Sequence, residues 1–287
     1  MSKEESTGVG IEDGKAGQEG DASGEVNAVK RKANWSGQWG HGTKLGKTIM
    51  QEKREYLDLL GLKLTKTDTI DGYFDTRKQG RVCPNCEKGP NNGLYCYACL
   101  VPLKGVCLPQ IPKLPLKLWV VRHEKEPRKK SSAVHAEVIC GKEYAETVET
   151  PLSDDLVFDK ETTCVIFPSD TSVPIKDLPN LKSLKSVIVL DATWIKAPTM
   201  NRLKQLEGVP RVHLAEYRTL FWRYQNFPDT HLSTIEAMYY FFVEYEKAVH
   251  DGVYDGKFDD MLSIFIGQFR KIERFKAAGI ERFKTTG

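Results

Sequence analysis

Apolar side chains follow two rhythms along this chain, after a first stretch in which they follow none. Residues 1–33 carry no aromatic side chain and are rich in Glu, Gly, Asp, Ser and Lys. Such a segment buries too little apolar surface to offset its conformational entropy, and it reads as a disordered tail. Over residues 44–60 the positions Ile49, Met50, Leu57 and Leu60 suit a short amphipathic helix stopped by Gly61. From residue 116 onward, short apolar runs alternate with longer polar or helical stretches. Residues 116–122, 134–140, 163–167 and 187–190 read as strands. The last two are nearly continuous apolar runs, as expected of strands buried on both faces of a parallel sheet. Residues 195–207 and 233–250 read as helices, the second with Ile235, Met238, Phe242, Tyr245 and Val249 at helical spacing. Gly252 and Gly256 mark a loop before a last helix over 258–275. This alternation predicts an α/β domain that binds ligands at the carboxyl ends of its strands.

Composition narrows the picture further. A chain of 287 residues, 40% of them apolar, suffices for one substantial core and a small appended module. A net charge of +3 permits a nucleic-acid partner without arguing for one. No run approaches the roughly 18–20 apolar residues of a membrane helix. The first residues hold no apolar core of a secretory signal. The expected compartment is therefore the nucleus or cytoplasm, with the basic run Lys30, Arg31, Lys32 tilting toward the nucleus although it reads first as solvated charge. In a reducing compartment, paired CxxC motifs are more often metal ligands than disulfides.

Two such pairs are present, Cys83-Pro84-Asn85-Cys86 and Cys96-Tyr97-Ala98-Cys99. Gly89, Pro90, Asn91, Asn92 and Gly93 between them are turn chemistry. Each CxxC turn aims two sulfurs into one corner, and two turns complete a tetrahedral zinc site. Four cysteines leave no position open for substrate, so the expected zinc is structural, in a ribbon over residues 81–112. Cys107, Cys140 and Cys164 lie outside the pattern and read as small packing residues. The expected organisation is a tail over 1–33, an extension with a short helix over 34–80, the ribbon, and a catalytic domain over 113–287.

Four segments carry polar chemistry where packing alone does not ask for it: Lys129 to His135, Ile166-Phe167-Pro168-Ser169, Leu190-Asp191-Ala192-Thr193-Trp194 at the end of a buried strand, and Leu232-Ser233-Thr234-Ile235-Glu236-Ala237 at the start of the aromatic helix. Each has a plainer reading. Asp191 is a common helix-cap type, Ser233 and Glu236 fit a capping box, Trp194 suits a core, and His135 suits a satisfied buried histidine.

Together, however, Asp191-x-Thr193-Trp194 and the Leu232–Ala237 stretch resemble the two signatures of the DTW-domain family. The Phe167-Pro168 strand end, the Ser131 to His135 turn, the CxxC pairs, Pro102 and Ile111-Pro112-x-x-Pro115 agree in order and spacing. The resemblance covers about residues 80–275 and looks nearest to a eukaryotic branch of the family. It implies a SPOUT-like α/β fold, a knotted and mostly parallel sheet with flanking helices. Periodicity could not suggest a knot, because true knots are rare.

The resemblance also implies a tRNA-uridine aminocarboxypropyltransferase. Such an enzyme moves the 3-amino-3-carboxypropyl group of S-adenosyl-L-methionine to N3 of a uridine, here one in the D-loop, releasing 5′-methylthioadenosine. It implies Asp191 as the catalytic carboxylate, either accepting the N3 proton or holding the cofactor's ammonium. Phe167, Pro168, Leu190, Asp191, Thr193, Trp194, Ser233, Thr234 and Glu236 would line the cofactor site. For tRNA contact, Arg122, Lys129, Lys130 and Arg223 are the candidates, Arg223 being equally suited to a surface ion pair. A C-terminal basic set beside Phe269 and Phe275 suits either RNA or an ordinary amphipathic helix. The competing expectations are a methyltransferase on the same core and a non-catalytic zinc-ribbon RNA-binding protein. Nothing in the sequence points to an obligate protein partner or a membrane.

Overall fold

Six short strands form one sheet in the computed structural model, which describes residues 48–75, 80–88, 93–109, 111–223 and 227–278. They are β1 (Lys117–Arg122), β2 (Ala145–Glu149), β3 (Thr163–Ile166), β4 (Val173–Pro174), β5 (Ser186–Asp191) and β6 (Arg211–His213). The order is β2-β1-β5-β3-β6-β4, and each of these neighbours pairs in parallel. The expected tail over 1–33, with its basic run, lies outside the described residues, as do 44–47 of the first helix and 89–92 of the turn between the CxxC pairs.

Period-two alternation sorts the strand side chains onto two faces. Leu118 and Val120 of β1, Cys164 and Ile166 of β3, and Val187 and Val189 of β5 enter the larger core. Val121, Val165, Ile188 and Leu190 enter a second cluster with Phe158, Met200, Leu206 and Val209. Both faces are apolar, which is why these strands read as continuous runs. The same alternation carries Asp191 to the side of Val187 and Val189.

The larger face is covered by α1 (Ile49–Leu60), α5 (Thr234–Val249) and α6 (Ser263–Ala277), whose Met50, Leu57, Ile235, Met238, Phe242, Phe265 and Phe269 belong to that core. Helix α1 opens with a capping box between Thr48 and Gln51 and ends at Gly61 in the left-handed conformation (φ +58°). There the missing Cβ removes the steric penalty. Helix α6 follows a single 3-10 turn at Asp259–Leu262.

The structure corrects two elements. Residues 134–140 form a helix, α3 (Val134–Cys140), not a strand. Val134, His135, Ala136, Val138 and Ile139 are all buried there, so seven residues without an exposed face show neither period clearly. The strand of that region is β2, five residues on. It occupies a sheet edge and is mostly half-exposed, so its apolar signal is weak. Residues 195–207 are not one helix either. Only α4 (Ala197–Met200) and a 3-10 turn at Lys204–Leu206 form. The irregular backbone is satisfied by Arg211, whose guanidinium donates to the carbonyls of Asn201 at 2.8 Å and Leu206 at 2.7 Å and also to that of Val209. An arginine reaching back from β6 thus replaces the helical bonds that the pattern led one to expect.

The helix α2 (Thr67–Asp75) packs on α6 at Gly267. A Cβ there would stand 2.6 Å from Ile70 Cγ2 and 2.9 Å from Phe74 Cε2, both buried. Gly267→Ala should therefore destabilise the protein by about 1–3 kcal/mol through overpacking. Denaturant unfolding measures this, and an unchanged midpoint would show that α2 moves away freely. On the same helix, Phe269 is in the core, Arg270 and Arg274 approach Asp71 (4.0 and 3.3 Å), and the Lys271 ammonium lies over the Phe74 ring. This C-terminal set is an amphipathic packing helix.

Candidate active site

The end of β5 delivers Asp191 into a ring of hydroxyls. Ser131 Oγ donates to its Oδ2 at 2.7 Å, and Thr234 Oγ1 donates to its Oδ1 at 2.9 Å. The polar turn before α3 supplies Ser131, and the first turn of α5 supplies Thr234. Ser132 Oγ accepts from the Ile235 amide at 3.2 Å and draws the same two elements together. Asp191 is only 3% exposed. Burial pushes its carboxyl above the usual range, against the two hydroxyl bonds and the charge of Arg122, which pull it down.

Arg122, Cα partner of Asp191 across β1 and β5, is 2% exposed and paired with Glu149. Its guanidinium is therefore buried, with Nη2 in that pair, and phosphate contact from this position, expected from the sequence, does not suit its place. Glu149 also takes Arg128 at 3.1 Å.

Around Asp191 opens a cavity of about 860 Å³ at the carboxyl ends of β1, β3, β5 and β6 and the start of α5. This is where a parallel sheet whose chain leaves in two directions holds its ligands. Phe167, Pro168, Leu190, Thr193, Trp194, Ser233 and Thr234 line it with Asp191. Lys130 and Arg223 also line it, Arg223 bonding the Lys130 carbonyl at 3.4 Å, while Lys129 is exposed outside the wall.

Glu236 stands behind the wall. It closes the capping box of α5 by accepting from Ser233 N at 2.8 Å, and it also takes Ser233 Oγ, Thr219 Oγ1 and Leu220 N, each at 2.6 Å. The Lys53 ammonium of α1 donates to the carbonyls of Thr219 and Phe221 at 2.8 and 2.6 Å. A carboxylate and an ammonium thus hold the strap 219–221, which carries Phe221 of the cavity lining and leads to Arg223. Glu236→Ala should cost about 1–3 kcal/mol for each of the Leu220 and Ser233 amides left without an acceptor. Glu236→Gln should cost less. Equal thermal stability for the alanine variant and the wild type would dismiss this role.

The cavity also contains residues that sequence reasoning passed over. Ser131 and Ser132 lay in a segment singled out as polar, but nothing local tied them to Asp191. Glu126 is half-buried among the charges of Asp191, Lys196, Lys130 and Arg223. Desolvation, followed by the Asp191 charge, raises its carboxyl. Phe227 and His231 have no signature, yet they join Trp194 in an aromatic series. The Trp194 and His231 rings meet edge-on at 4.6 Å, and His231 stacks on Phe227 at 5.1 Å with 20° between planes. His135, by contrast, lies away from the cavity lining, edge-on to Tyr95 at 5.9 Å, with burial pushing its pKa down to about 3. It is a neutral core imidazole.

A second centre lies in the cysteine-rich segment. The sulfurs of Cys83, Cys86, Cys96 and Cys99 all fall within 4.8 Å of one another, and those of Cys86 and Cys96 are 3.7 Å apart. Sulfurs bonded at about 2.3 Å around a tetrahedral zinc are roughly 3.8 Å apart, so the four thiols fit such an ion. The two knuckles repeat one geometry. Glu87 and Leu100, each following the second cysteine of its pair, are left-handed (φ +55° and +53°), and their amides bond the carbonyls of Cys83 and Cys96. Non-glycine residues seldom adopt that conformation, and its recurrence at matching positions marks a constraint shared by both turns. Leu94, Tyr95 and Leu100 pack the module onto Ile70, Phe74 and Val134. Cys164 is a buried core thiol, as expected, whereas Cys107 is exposed and meets Lys66 Nζ at 2.8 Å.

Comparison with known proteins adds relatives to this geometry. The chain is 33% identical to tRNA-uridine aminocarboxypropyltransferase 1 of Xenopus laevis over 249 residues, 71% of this chain and 84% of the relative. It is 30% identical to the human protein of that name over 241 residues, 69% of this chain and 78% of the relative. Among solved structures it is similar to the SAM-dependent rRNA:acp-transferase Tsr3 from Vulcanisaeta distributa, at 20% identity and a TM-score of 0.34, over 57% of this chain and 84% of that one. The model of the DTW domain matches residues 93–272, a span holding the second cysteine pair, the sheet and every wall of the Asp191 cavity, and this chain belongs to the DTW-domain family.

Proposed function

We propose that this protein is a tRNA-uridine aminocarboxypropyltransferase. In this reading it transfers the 3-amino-3-carboxypropyl group of S-adenosyl-L-methionine to N3 of a tRNA uridine, in the D-loop, and 5′-methylthioadenosine leaves. The names of its relatives support the reaction class. On this chain the observation that carries it is a buried carboxylate, held by Ser131 and Thr234, at the floor of a cavity large enough for a nucleoside cofactor and a base.

The cofactor, when bound, supplies an alkyl carbon activated by its sulfonium. The chain's own residues have the remaining tasks. Uridine N3 must lose a proton and face that carbon in line. Asp191 retains lone pairs beyond those filled by the two hydroxyls, so it can accept from one further N–H, either the cofactor's ammonium or N3 itself. Phe167, Pro168 and Leu190 provide apolar wall beside the polar groups of the cavity. Lys130 and Arg223 at the same cavity suit an RNA phosphate. The four-cysteine centre would hold a structural zinc, closed to substrate. Among the described residues no helix is long and apolar enough to cross a membrane. In this reading the protein works where tRNA is made or used, in the nucleus or cytoplasm.

Incubation with unmodified tRNA and S-adenosyl-L-methionine, followed by mass spectrometry of nucleosides and small molecules, tests the reading. Aminocarboxypropyluridine with 5′-methylthioadenosine is the expected result. A methylated nucleoside with S-adenosylhomocysteine would replace it with methyl transfer, and neither product from folded protein would refute it.

A further inference from the structure

The aromatic series at the cavity extends beyond Trp194, the member that the family signature assigns to the cofactor site, to two rings that no signature names. It runs from Trp194 through His231 to Phe227, and its outermost ring, Phe227, is 37% exposed. Ile195, next to Trp194 in the chain and on the same cavity, is 79% exposed. A bulky isoleucine and a phenylalanine left open to water beside one cavity are what a surface looks like before an apolar face covers it. Flat rings at stacking distance select a flat occupant.

We propose that Phe227, backed by His231, is the stacking platform for the target uracil, so that the base continues the ring series while its N3 edge faces the Asp191 end of the cavity. This rests on the transferase reading and extends it to the subsite that receives the RNA. Three observations favour a nucleobase of an RNA over another occupant. The near-parallel His231 and Phe227 rings give an extended flat surface. Desolvation lowers the His231 pKa, which favours an uncharged ring in the stack. Lys196 and Arg223 share the cavity and offer charge for the flanking phosphates. The cofactor's adenine is the rival occupant. The platform is assigned to uracil because the exposed ring is at the opening, whereas the buried carboxylate and its hydroxyls are at the strand ends.

Base–aromatic stacking is sequence-tolerant and strong enough for Phe227→Ala to raise KM for tRNA by about ten- to a hundred-fold. The Kd for S-adenosyl-L-methionine, measured by calorimetry, should stay at the wild-type value, and Phe227→Trp should restore the tRNA KM. Weakened S-adenosyl-L-methionine binding with an unchanged tRNA KM would overturn the proposal and give the ring to adenine. No change in either quantity would also overturn it. As a readout independent of turnover, wild-type protein is cross-linked by ultraviolet light to tRNA transcribed with 4-thiouridine, and the attached peptide is mapped. Cross-links on the peptide holding Phe227 and His231 are expected. Transfer activity with cross-links only elsewhere would sink the platform and leave the transferase. Cross-links at Phe227 without any transfer would do the reverse.

Discussion

Asp191→Asn should lose about 100- to 10,000-fold in turnover, the range associated with removing a group that holds or moves a proton in the transition state, while remaining folded. The amide keeps the shape of the carboxylate, and Ser131 and Thr234 can rotate their hydroxyls to meet it. The charge is what disappears. If the carboxylate anchors the cofactor's ammonium, the loss shows mainly in the Kd for S-adenosyl-L-methionine. If it takes the N3 proton, Kd holds and kcat falls. Near-wild-type turnover would remove Asp191 from the mechanism.

The same variant has a pH signature. The folded protein raises the Asp191 carboxyl above its unfolded value, so the native state holds that proton more tightly. The stability arising from this group is fully present below the unfolded carboxylate pKa, and it is lost as pH rises through the raised folded value. The asparagine variant does not titrate, so its stability relative to wild type should improve across that window and stay improved at neutral pH. A stability difference between variant and wild type that stays constant through that window would mean that the hydroxyl bonds and Arg122 offset the burial.

Cys83→Ser combined with Cys86→Ser should abolish metal binding, from about one zinc per chain to none, and lower the melting temperature sharply. The free energy of structural zinc binding in isolated fingers is about 10–16 kcal/mol, and it counts as folding energy wherever the unfolded chain binds no metal. In this protein part of it is replaced by packing, because Leu94, Tyr95 and Leu100 are clustered with Ile70, Phe74 and Val134. Loss of order should therefore concentrate in the cysteine module. Metal analysis, thermal melts and hydrogen exchange over residues 80–109 report it. A fully stable protein with no metal in either form would refute a metal centre.

How much could be read beforehand differs by element. β3 and β5 were legible because both of their faces are apolar, and α5 because its buried positions recur with helical period over sixteen residues. The capping box of α5 was legible too, since Ser233 and Glu236 are local partners. What escaped was the reach of Glu236 to Thr219 and Leu220 and of Lys53 to the same strap, 166 residues away for its bond with Thr219. The element α3 was misread because burial of five of its seven residues, with no exposed face, erases periodicity. The edge strand β2 was missed because partial exposure dilutes it.

By itself, the sequence determined the four-cysteine set, the family signatures and the alternation that sends Asp191 to one face of β5. Each depends on residue type and short spacing, which backbone geometry turns directly into direction. Only the tertiary structure decided the rest. It withdrew Arg122 from the surface into a pair with Glu149, set Glu236 behind the cavity wall, and brought Ser131 from 60 residues away onto the Asp191 carboxylate. It also joined Phe227 and His231 to Trp194. These outcomes follow from which buried polar group finds a partner once the chain has closed. Such a partner is chosen by proximity in space and by the cost of leaving the group unpaired, and spacing along the chain carries neither.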